Sequence, residues 1–164
     1  MPEHAEEKRD PGPAEAAVLF IAQGAYSGRV PTAPGTAGTL AGVLLYLAMR
    51  GLSAEVYSAL CIVIFFIGIR IAGRAEILLG RTDHPSIVID EIAGFLLAML
   101  LVPASWYSVT AAFVLFRFFD IVKPWPLKRF QGLHGGLGVM LDDIGAGIYT
   151  NIVLQIMSVV LHSA

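Results

Sequence analysis

Apolar residues are grouped along the chain in long uncharged blocks that short polar clusters separate. The uncharged blocks cover residues 36–49, 56–69, 92–116 and 144–161. They are apolar on all sides and lack the alternation of a half-buried strand, which is typical of buried or membrane helices. Pro103 interrupts the longest block within a turn-like stretch. This pattern predicts an all-α protein with helices near 36–50, 55–72, 91–102, 107–119 and 143–162.

We expect one domain over residues 18–164, a compact bundle of about five or six short apolar helices that is membrane-embedded or membrane-associated. Residues 1–17 are polar, Pro-rich and of mixed charge, so they predict a flexible tail. Several apolar blocks are shorter than the roughly 20 residues of a full membrane span. The buried core of a soluble all-α protein therefore stays an alternative.

The distribution of basic residues favours the membrane. If the five helices alternate in direction, Arg50 lies alone on one side and the other ten of the 11 Lys and Arg lie on the opposite side. Basic residues are enriched on the cytoplasmic side of membrane proteins. We therefore expect the basic side of the bundle to face the cytoplasm.

Composition excludes several classes of protein and some kinds of site. Hydrophobic residues make up 56% of the chain and charged residues 15%, against about 25% charged residues in soluble domains. With a formal charge of −2, these values exclude a disordered chain, a coiled coil and a basic nucleic-acid binder. Cys61 is the single cysteine, which excludes an intramolecular disulfide and a cysteine-based zinc cluster.

The polar clusters between the apolar blocks all fall on the basic side of the predicted bundle. They are the segments 31–42, 81–95, 116–130 and 134–147. A protein without a functional site has no reason to gather its polar residues at one end. We therefore interpret this end of the bundle as the functional one.

The first cluster, PTAPGTAGTLAG, opens a helix after a turn at Pro34 and Gly35. The free N–H groups and positive dipole end of a helix start suit an anion. Thr36, Gly38 and Thr39 are therefore candidates for phosphate binding. The structural alternative is that Thr36 caps the helix and that the glycines allow close helix packing.

The second cluster, RTDHPSIVIDEIAGF, places two adjacent carboxylates among apolar residues. Such carboxylates are costly unless they pair with arginine, bind a metal or take up a proton. Asp90 and Glu91 are therefore candidate metal ligands or catalytic groups. In the preceding polar loop, Asp83 is a weaker candidate ligand that could instead form an N-cap or Asx turn. Arg81 is a candidate for phosphate binding.

The third cluster, FRFFDIVKPWPLKRF, carries Arg117, Asp120 and Lys123 at spacings that share one helical face. Pro124 predicts that the helix ends there. Lys123, together with Arg117 or Arg81, is a candidate for binding phosphate, and Asp120 for orienting Lys123 or joining a metal shell. A surface salt bridge is the structural alternative.

The fourth cluster, HGGLGVMLDDIGAG, combines a glycine loop with two acidic residues. The amides of Gly135 and Gly136 are candidates for phosphate binding. Asp142 and Asp143 are expected at the start of the last helix, where acidic residues are favoured by the dipole. That preference explains one aspartate better than two. His134 is a minor candidate as a ligand or proton carrier.

Asp90, Glu91, Asp142 and Asp143 would repel one another at one membrane face unless a cation were bound. Oxygen ligands without thiols match a hard divalent ion, best Mg²⁺. Mg²⁺ beside lysine and arginine is equipment for phosphate chemistry, with a carboxylate able to take the proton of the attacking water. A site of this kind at a bilayer predicts a lipid headgroup phosphate as the substrate.

Two other classes of function stay open on these residues alone. Acidic residues on membrane helices are also typical of an ion or metabolite transporter. A non-catalytic membrane subunit, in which the carboxylates pair with arginines, is the third hypothesis.

The four clusters resemble, closely and in order, the motifs of the phosphatidylglycerophosphatase A family. The matching pieces are PGTAGTLAG at 34–42, DHPSIVIDEIAGF at 83–95, FRFFDIVKPWPLKRF at 116–130 and GGLGVMLDDIGAG at 135–147. The resemblance covers roughly residues 24–162.

The resemblance implies an all-α, membrane-associated bacterial enzyme. Together with the distribution of basic residues, it leads us to expect a protein of the inner membrane whose site faces the cytoplasm. It implies a Mg²⁺-dependent phosphatase that converts phosphatidylglycerophosphate to phosphatidylglycerol and inorganic phosphate. A phosphatase acting on another phosphomonoester is the alternative, and homo-oligomerisation is left open. The motif positions carried over by the resemblance are Thr36, Thr39, Asp83, Asp90, Glu91, Asp120, Lys123, Asp142 and Asp143.

Overall fold

The computed structural model describes residues 11–132 and 135–163. Over these ranges the chain forms six α-helices and two short 3₁₀ segments, with no β-strand, which confirms the predicted all-α bundle. The helices are α1 (Pro13–Ala22), α2 (Pro34–Met49), α3 (Ala54–Leu79), α4 (Ile89–Ala98), α5 (Trp106–Val122) and α6 (Gly136–Ser163). The 3₁₀ segments are Ser27–Arg29 and Leu127–Gly132.

The first helix begins inside the stretch predicted to be a tail. Pro13 occupies the first turn of α1, where its missing N–H is not needed. The Glu15 carboxylate accepts a hydrogen bond from the Gly12 N–H at 3.0 Å. Helix therefore occupies residues 13–17, which the sequence pattern assigned to the tail.

Two other helices extend further than their apolar blocks. Helix α3 continues past residue 72 to Leu79 and ends at Gly80, whose φ of +67° forms the left-handed cap that glycine favours. Helix α6 begins at Gly136, so the expectation that Asp142 and Asp143 lie at its start is wrong. Both aspartates lie inside the helix, because the glycines before them continue the helix instead of forming a loop.

Helix α4 is the centre of the bundle and contacts α2, α3, α5 and α6. Its side chains Phe95 and Leu96 are fully buried, and Phe95 packs edge to face with Phe116 of α5 at 6.4 Å between ring centroids. Tyr46 of α2 packs on the same ring at 6.4 Å. This apolar core holds the N-terminus of α4 in a fixed position relative to α5 and α6.

Two glycines allow the backbones of α4 and α6 to approach closely. A Cβ atom on Gly94 would lie 2.6 Å from the Asp143 carbonyl oxygen and 2.7 Å from the Phe116 ring. On the facing helix, Gly147 lies against the Gly94 carbonyl group. The close packing brings the first turn of α4 beside Asp143.

Replacing Gly94 with Ala is expected to lower the free energy of unfolding by about 1–3 kcal/mol, because the added methyl group forces two packed helices apart. Denaturant unfolding followed by circular dichroism in detergent measures this change. Gly51→Ala is the matched control, since nothing lies within 4 Å of a Cβ atom at Gly51. Equal stability of the two variants would contradict the close packing.

Two helices are long and apolar enough to cross a membrane: α3, and α6 over Gly136–Leu161. Only 17% of the most apolar window of α3 and 22% of that of α6 are buried inside the described chain. The core helix of a soluble protein is mostly buried, so this exposure favours lipid around both helices.

Candidate active site

Three of the four polar clusters, 81–95, 116–130 and 134–147, contribute to one cavity of about 170 Å³ at the end of the bundle where α4 begins. Seven of the residues predicted to form the site line this cavity: Asp83, Asp90, Glu91, Asp120, Lys123, Asp142 and Asp143. They come from the loop before α4, from α4, from the end of α5 and from α6. Segments far apart in sequence therefore share one acidic site.

Three of the carboxylates form the tightest group. Asp90 and Glu91 stand in the first turn of α4, and Asp143 faces them from α6. One oxygen from each lies within 4.8 Å of the others. Asp90 and Asp143 are buried and Glu91 is half-buried.

Each of these carboxylates keeps a buried oxygen without a hydrogen-bond partner among the described residues: Asp90 Oδ1, Glu91 Oε2 and Asp143 Oδ2. Burial, and then the neighbouring Glu91 carboxylate, raise the pKa of Asp90 well above its usual value. Burial likewise raises the pKa of Glu91. Unpartnered carboxylate oxygens without thiols fit a hard divalent cation, so the acidic cluster is consistent with a metal site.

Asp142 stands apart from this group because its Oδ2 accepts a hydrogen bond from Lys123 Nζ. The second oxygen of Asp142, Oδ1, is buried and has no hydrogen-bond partner among the described residues. The sequence pattern predicted the four carboxylates as metal ligands or general base without assigning these roles to individual residues. The structure separates three that face one another from one that holds the lysine.

Lys123 is the cation that lines the cavity at the end of α5, where its backbone φ of +47° ends the helix before Pro124. Its Nζ also lies 3.7 Å from Asp120 Oδ1, and Asp120 Oδ2 lies 2.7 Å from Arg117 Nη1. Burial opposes the charge of the lysine, but the bond to Asp142 and the nearby carboxylates outweigh it and raise the pKa of Lys123. Lys123 is therefore a positioned positive charge beside the three facing carboxylates.

Other candidates for phosphate binding do not line this cavity. Thr39 is fully buried, and its hydroxyl donates back to the Gly35 carbonyl oxygen at 2.9 Å. Gly38 packs against Val88, as the structural alternative expected, but the N-cap of α2 is Ala33, so the expectation that Thr36 caps the helix is wrong. The start of α2 nevertheless lies at the site, because a Cβ on Gly35 would meet Glu91 Oε1 at 2.5 Å.

Four further candidates for phosphate binding also lie outside the lining of the cavity. Gly136 packs against the α3 backbone at Ile69, and Arg81 is exposed. None of the residues Gly136, Arg81, Gly135 and Arg117 lines the cavity. Arg117 forms an ion pair with Asp120, which does line it. His134 lies outside the described residues.

The sequence reasoning did not assign to the site two ionisable residues that line the cavity, Glu76 and His84. Glu76, buried in α3, accepts a hydrogen bond at 2.7 Å from the backbone N–H of Asp83 and holds that loop in place. His84 follows Asp83, and its Nδ1 accepts from the Ser86 N–H at 3.2 Å. Extending α3 to Gly80 would have placed Glu76 in a mostly apolar helix, which marks a functional carboxylate.

Comparison with known proteins identifies the family to which the chain belongs. The family model described as phosphatidylglycerophosphatase A matches residues 20–158, which include every segment that lines the site. The chain belongs to the phosphatidylglycerophosphatase A family.

Individual members of this family align over most of the chain. A phosphatidylglycerophosphatase A of Haemophilus influenzae is 40% identical over 143 residues, which are 84% of this chain and 86% of the relative. The protein of the same name from Escherichia coli K12 is 38% identical over 79% of this chain and 76% of the relative.

A third relative has a different name. A Bacteroides thetaiotaomicron protein, provisionally named phosphatidylinositol-3-phosphatase, is 39% identical over 84% of this chain and 91% of the relative. No solved structure matches the chain. Family membership and the two exposed apolar helices together indicate a membrane-associated phosphatase.

Proposed function

We propose that this phosphatidylglycerophosphatase A family member hydrolyses the terminal phosphomonoester of phosphatidylglycerophosphate to phosphatidylglycerol and inorganic phosphate. The observation that carries the proposal is the cavity in which Asp90, Glu91 and Asp143 face one another beside Lys123. Three carboxylates with unpartnered oxygens and one fixed ammonium group match a metal-assisted attack on phosphate. Family membership favours this function over a transporter or a non-catalytic subunit.

We further propose Mg²⁺ as the cofactor, with Asp90, Glu91 and Asp143 as the residues that would hold it. When bound, Mg²⁺ neutralises phosphate oxygens and lowers the pKa of a bound water. Asp83 lines the same cavity and is a weaker candidate for its shell.

The protein's own groups supply the remaining functions. Lys123 binds a phosphate oxygen, and Asp120 orients Lys123 while it is itself held by Arg117. The unpartnered Oδ1 of Asp142 takes the proton of the attacking water. The water oxygen bonds to phosphorus, the bond from phosphorus to the ester oxygen breaks, and, as phosphatidylglycerol forms, the leaving alkoxide takes up the proton that Asp142 accepted.

The location of the site supports a cytoplasmic orientation in the bacterial inner membrane. Glu76 lies three residues before the end of α3, and Asp142 lies six residues after the start of α6, so the cavity is in the end portion of both apolar helices. The segments on this side of the helix bundle carry several basic residues: Arg70, Arg74, Arg81, Lys128 and Arg129. Basic residues of this kind favour the cytoplasmic side.

We also propose that residues 18–164 form a single catalytic domain.

Release of phosphate from phosphatidylglycerophosphate by the purified protein in mixed micelles tests the proposal. We expect inorganic phosphate and phosphatidylglycerol in equal amounts. Phosphatidylinositol 3-phosphate and phosphatidate, assayed in parallel, test the alternative of another phosphomonoester. Turnover of one of these lipids without turnover of phosphatidylglycerophosphate would contradict the proposed substrate.

A further inference from the structure

A second, more open cavity of about 450 Å³ adjoins the acidic one. His84 and Pro85 line both cavities, so the width of these two residues separates them. Arg29, from the 3₁₀ segment after α1, lines the second cavity and carries its positive charge. Nothing in the proposed hydrolysis uses this arginine.

The guanidinium group of Arg29 is held in place although the residue is exposed. Its Nε donates to Gln23 Oε1 at 2.7 Å, and its carbon Cζ lies 4.0 Å from the centre of the Tyr26 ring. Among the described residues, no carboxylate forms an ion pair with Arg29. The guanidinium is therefore a preorganised cation whose terminal N–H groups are available to an anion.

Buried hydrogen bonds connect this arginine to the wall between the cavities. Gln23, only 3% exposed, donates from Nε2 to Ser86 Oγ at 2.9 Å. Ser86 Oγ in turn lies 2.8 Å from His84 Nδ1. A chain of polar contacts therefore holds Arg29 at a fixed position relative to the acidic cavity.

The edge of the second cavity around Arg29 is partly apolar, with Val30, Pro31, Pro34 and Leu79 in its lining. Large hydrophobic residues near Arg29 are between 41% and 46% exposed: Phe20, Ile21, Tyr26 and Val30. An arginine beside exposed tyrosine and aliphatic groups is typical of a membrane interface, where acyl chains meet headgroups. This edge is therefore suited to the glycerolipid end of a phospholipid.

We propose that the second cavity binds the internal phosphodiester of the lipid substrate through Arg29, while the terminal phosphomonoester occupies the acidic cavity. This inference rests on the proposed function. The headgroup has two phosphates joined by a three-carbon alcohol, which matches two adjoining polar cavities. The outer cavity holds the cation Arg29, and the inner cavity holds Lys123 and the carboxylates. Arg29 then selects for lipids that carry a phosphodiester and against phosphatidate, which has none.

Kinetics of the Arg29→Ala variant in mixed micelles test this assignment with three probes. The first probe is the substrate, phosphatidylglycerophosphate. The second is phosphatidylglycerol, an inhibitor that carries the phosphodiester but no phosphomonoester. The third is inorganic phosphate, an inhibitor that binds in the acidic cavity. Loss of a charge-assisted hydrogen bond should raise the KM of the substrate and the Ki of phosphatidylglycerol about tenfold. The kcat and the Ki of inorganic phosphate should stay at wild-type values, and Arg29→Lys should recover part of the loss.

Arg50→Ala is the matched control, because Arg50 is exposed at the opposite end of α2. It removes the same charge and should leave all constants unchanged. An unchanged Ki of phosphatidylglycerol in Arg29→Ala would overturn the assignment, and so would an equal shift of all constants, including that of inorganic phosphate. If the wild-type protein releases no phosphate from phosphatidylglycerophosphate, the proposed function is wrong and this inference falls with it.

Discussion

Replacing Asp143 with Asn is expected to reduce kcat by about a thousandfold or more while the helical fold persists. Asp143 is buried, and its carboxylate faces Asp90 and Glu91 across the packed α4 and α6 helices. Asn keeps the shape of the side chain but removes one of three negative charges that would hold the cation. Phosphate release gives kcat, and circular dichroism reports the fold.

Glu55→Gln is the control for Asp143→Asn, because it also replaces a carboxylate on a long apolar helix with a neutral amide. Glu55 lies in the first turn of α3, is exposed, and is far along that helix from Glu76. We expect this variant to keep wild-type activity. Wild-type activity in Asp143→Asn itself would show that the three facing carboxylates are not the catalytic centre.

Replacing Lys123 with Met is expected to lower kcat/KM about 100-fold, because a substrate phosphate loses a charge-assisted hydrogen bond. Met preserves the length of the side chain without its charge. The change also leaves Asp142 without its hydrogen-bond partner and Asp120 without a neighbouring cation. Steady-state kinetics should show weaker inhibition by inorganic phosphate together with the lower kcat/KM.

Lys128, a basic residue of the same cluster that does not line the cavity, supplies the control for Lys123→Met. Lys128 lies in the second 3₁₀ segment and is exposed. Lys128→Met should therefore leave the Ki of inorganic phosphate unchanged. If both variants lose phosphate binding equally, general attraction by the basic side of the bundle, rather than Lys123, explains the binding.

The sequence predicts that the acidic residues come together in one site, but it does not predict the role of each residue in that site. Asp90 and Glu91 could be identified because two adjacent carboxylates among apolar residues need a partner. The pattern could not distinguish Asp142 from Asp143, since neighbouring residues in a helix point about 100° apart. In the structure Asp143 turns towards α4 and Asp142 towards Lys123.

Phosphate-binding roles were harder to predict than metal-binding ones. Thr39 and Gly136 belong to polar, glycine-rich clusters, but a threonine hydroxyl can satisfy itself on its own helix and a glycine can serve helix packing. The second cavity could not be foreseen either. Arg29, Gln23 and Ser86 come together only because α1 packs beside the loop before α4.

Phosphate release from phosphatidylglycerophosphate, measured before and after removal of metal by EDTA, tests most directly whether the acidic cavity works with a cation. The purified protein should lose activity in EDTA and regain it when Mg²⁺ is added in excess, whereas Asp143→Asn should stay inactive at the same concentration of Mg²⁺. Undiminished phosphate release in EDTA would contradict a metal role for Asp90, Glu91 and Asp143.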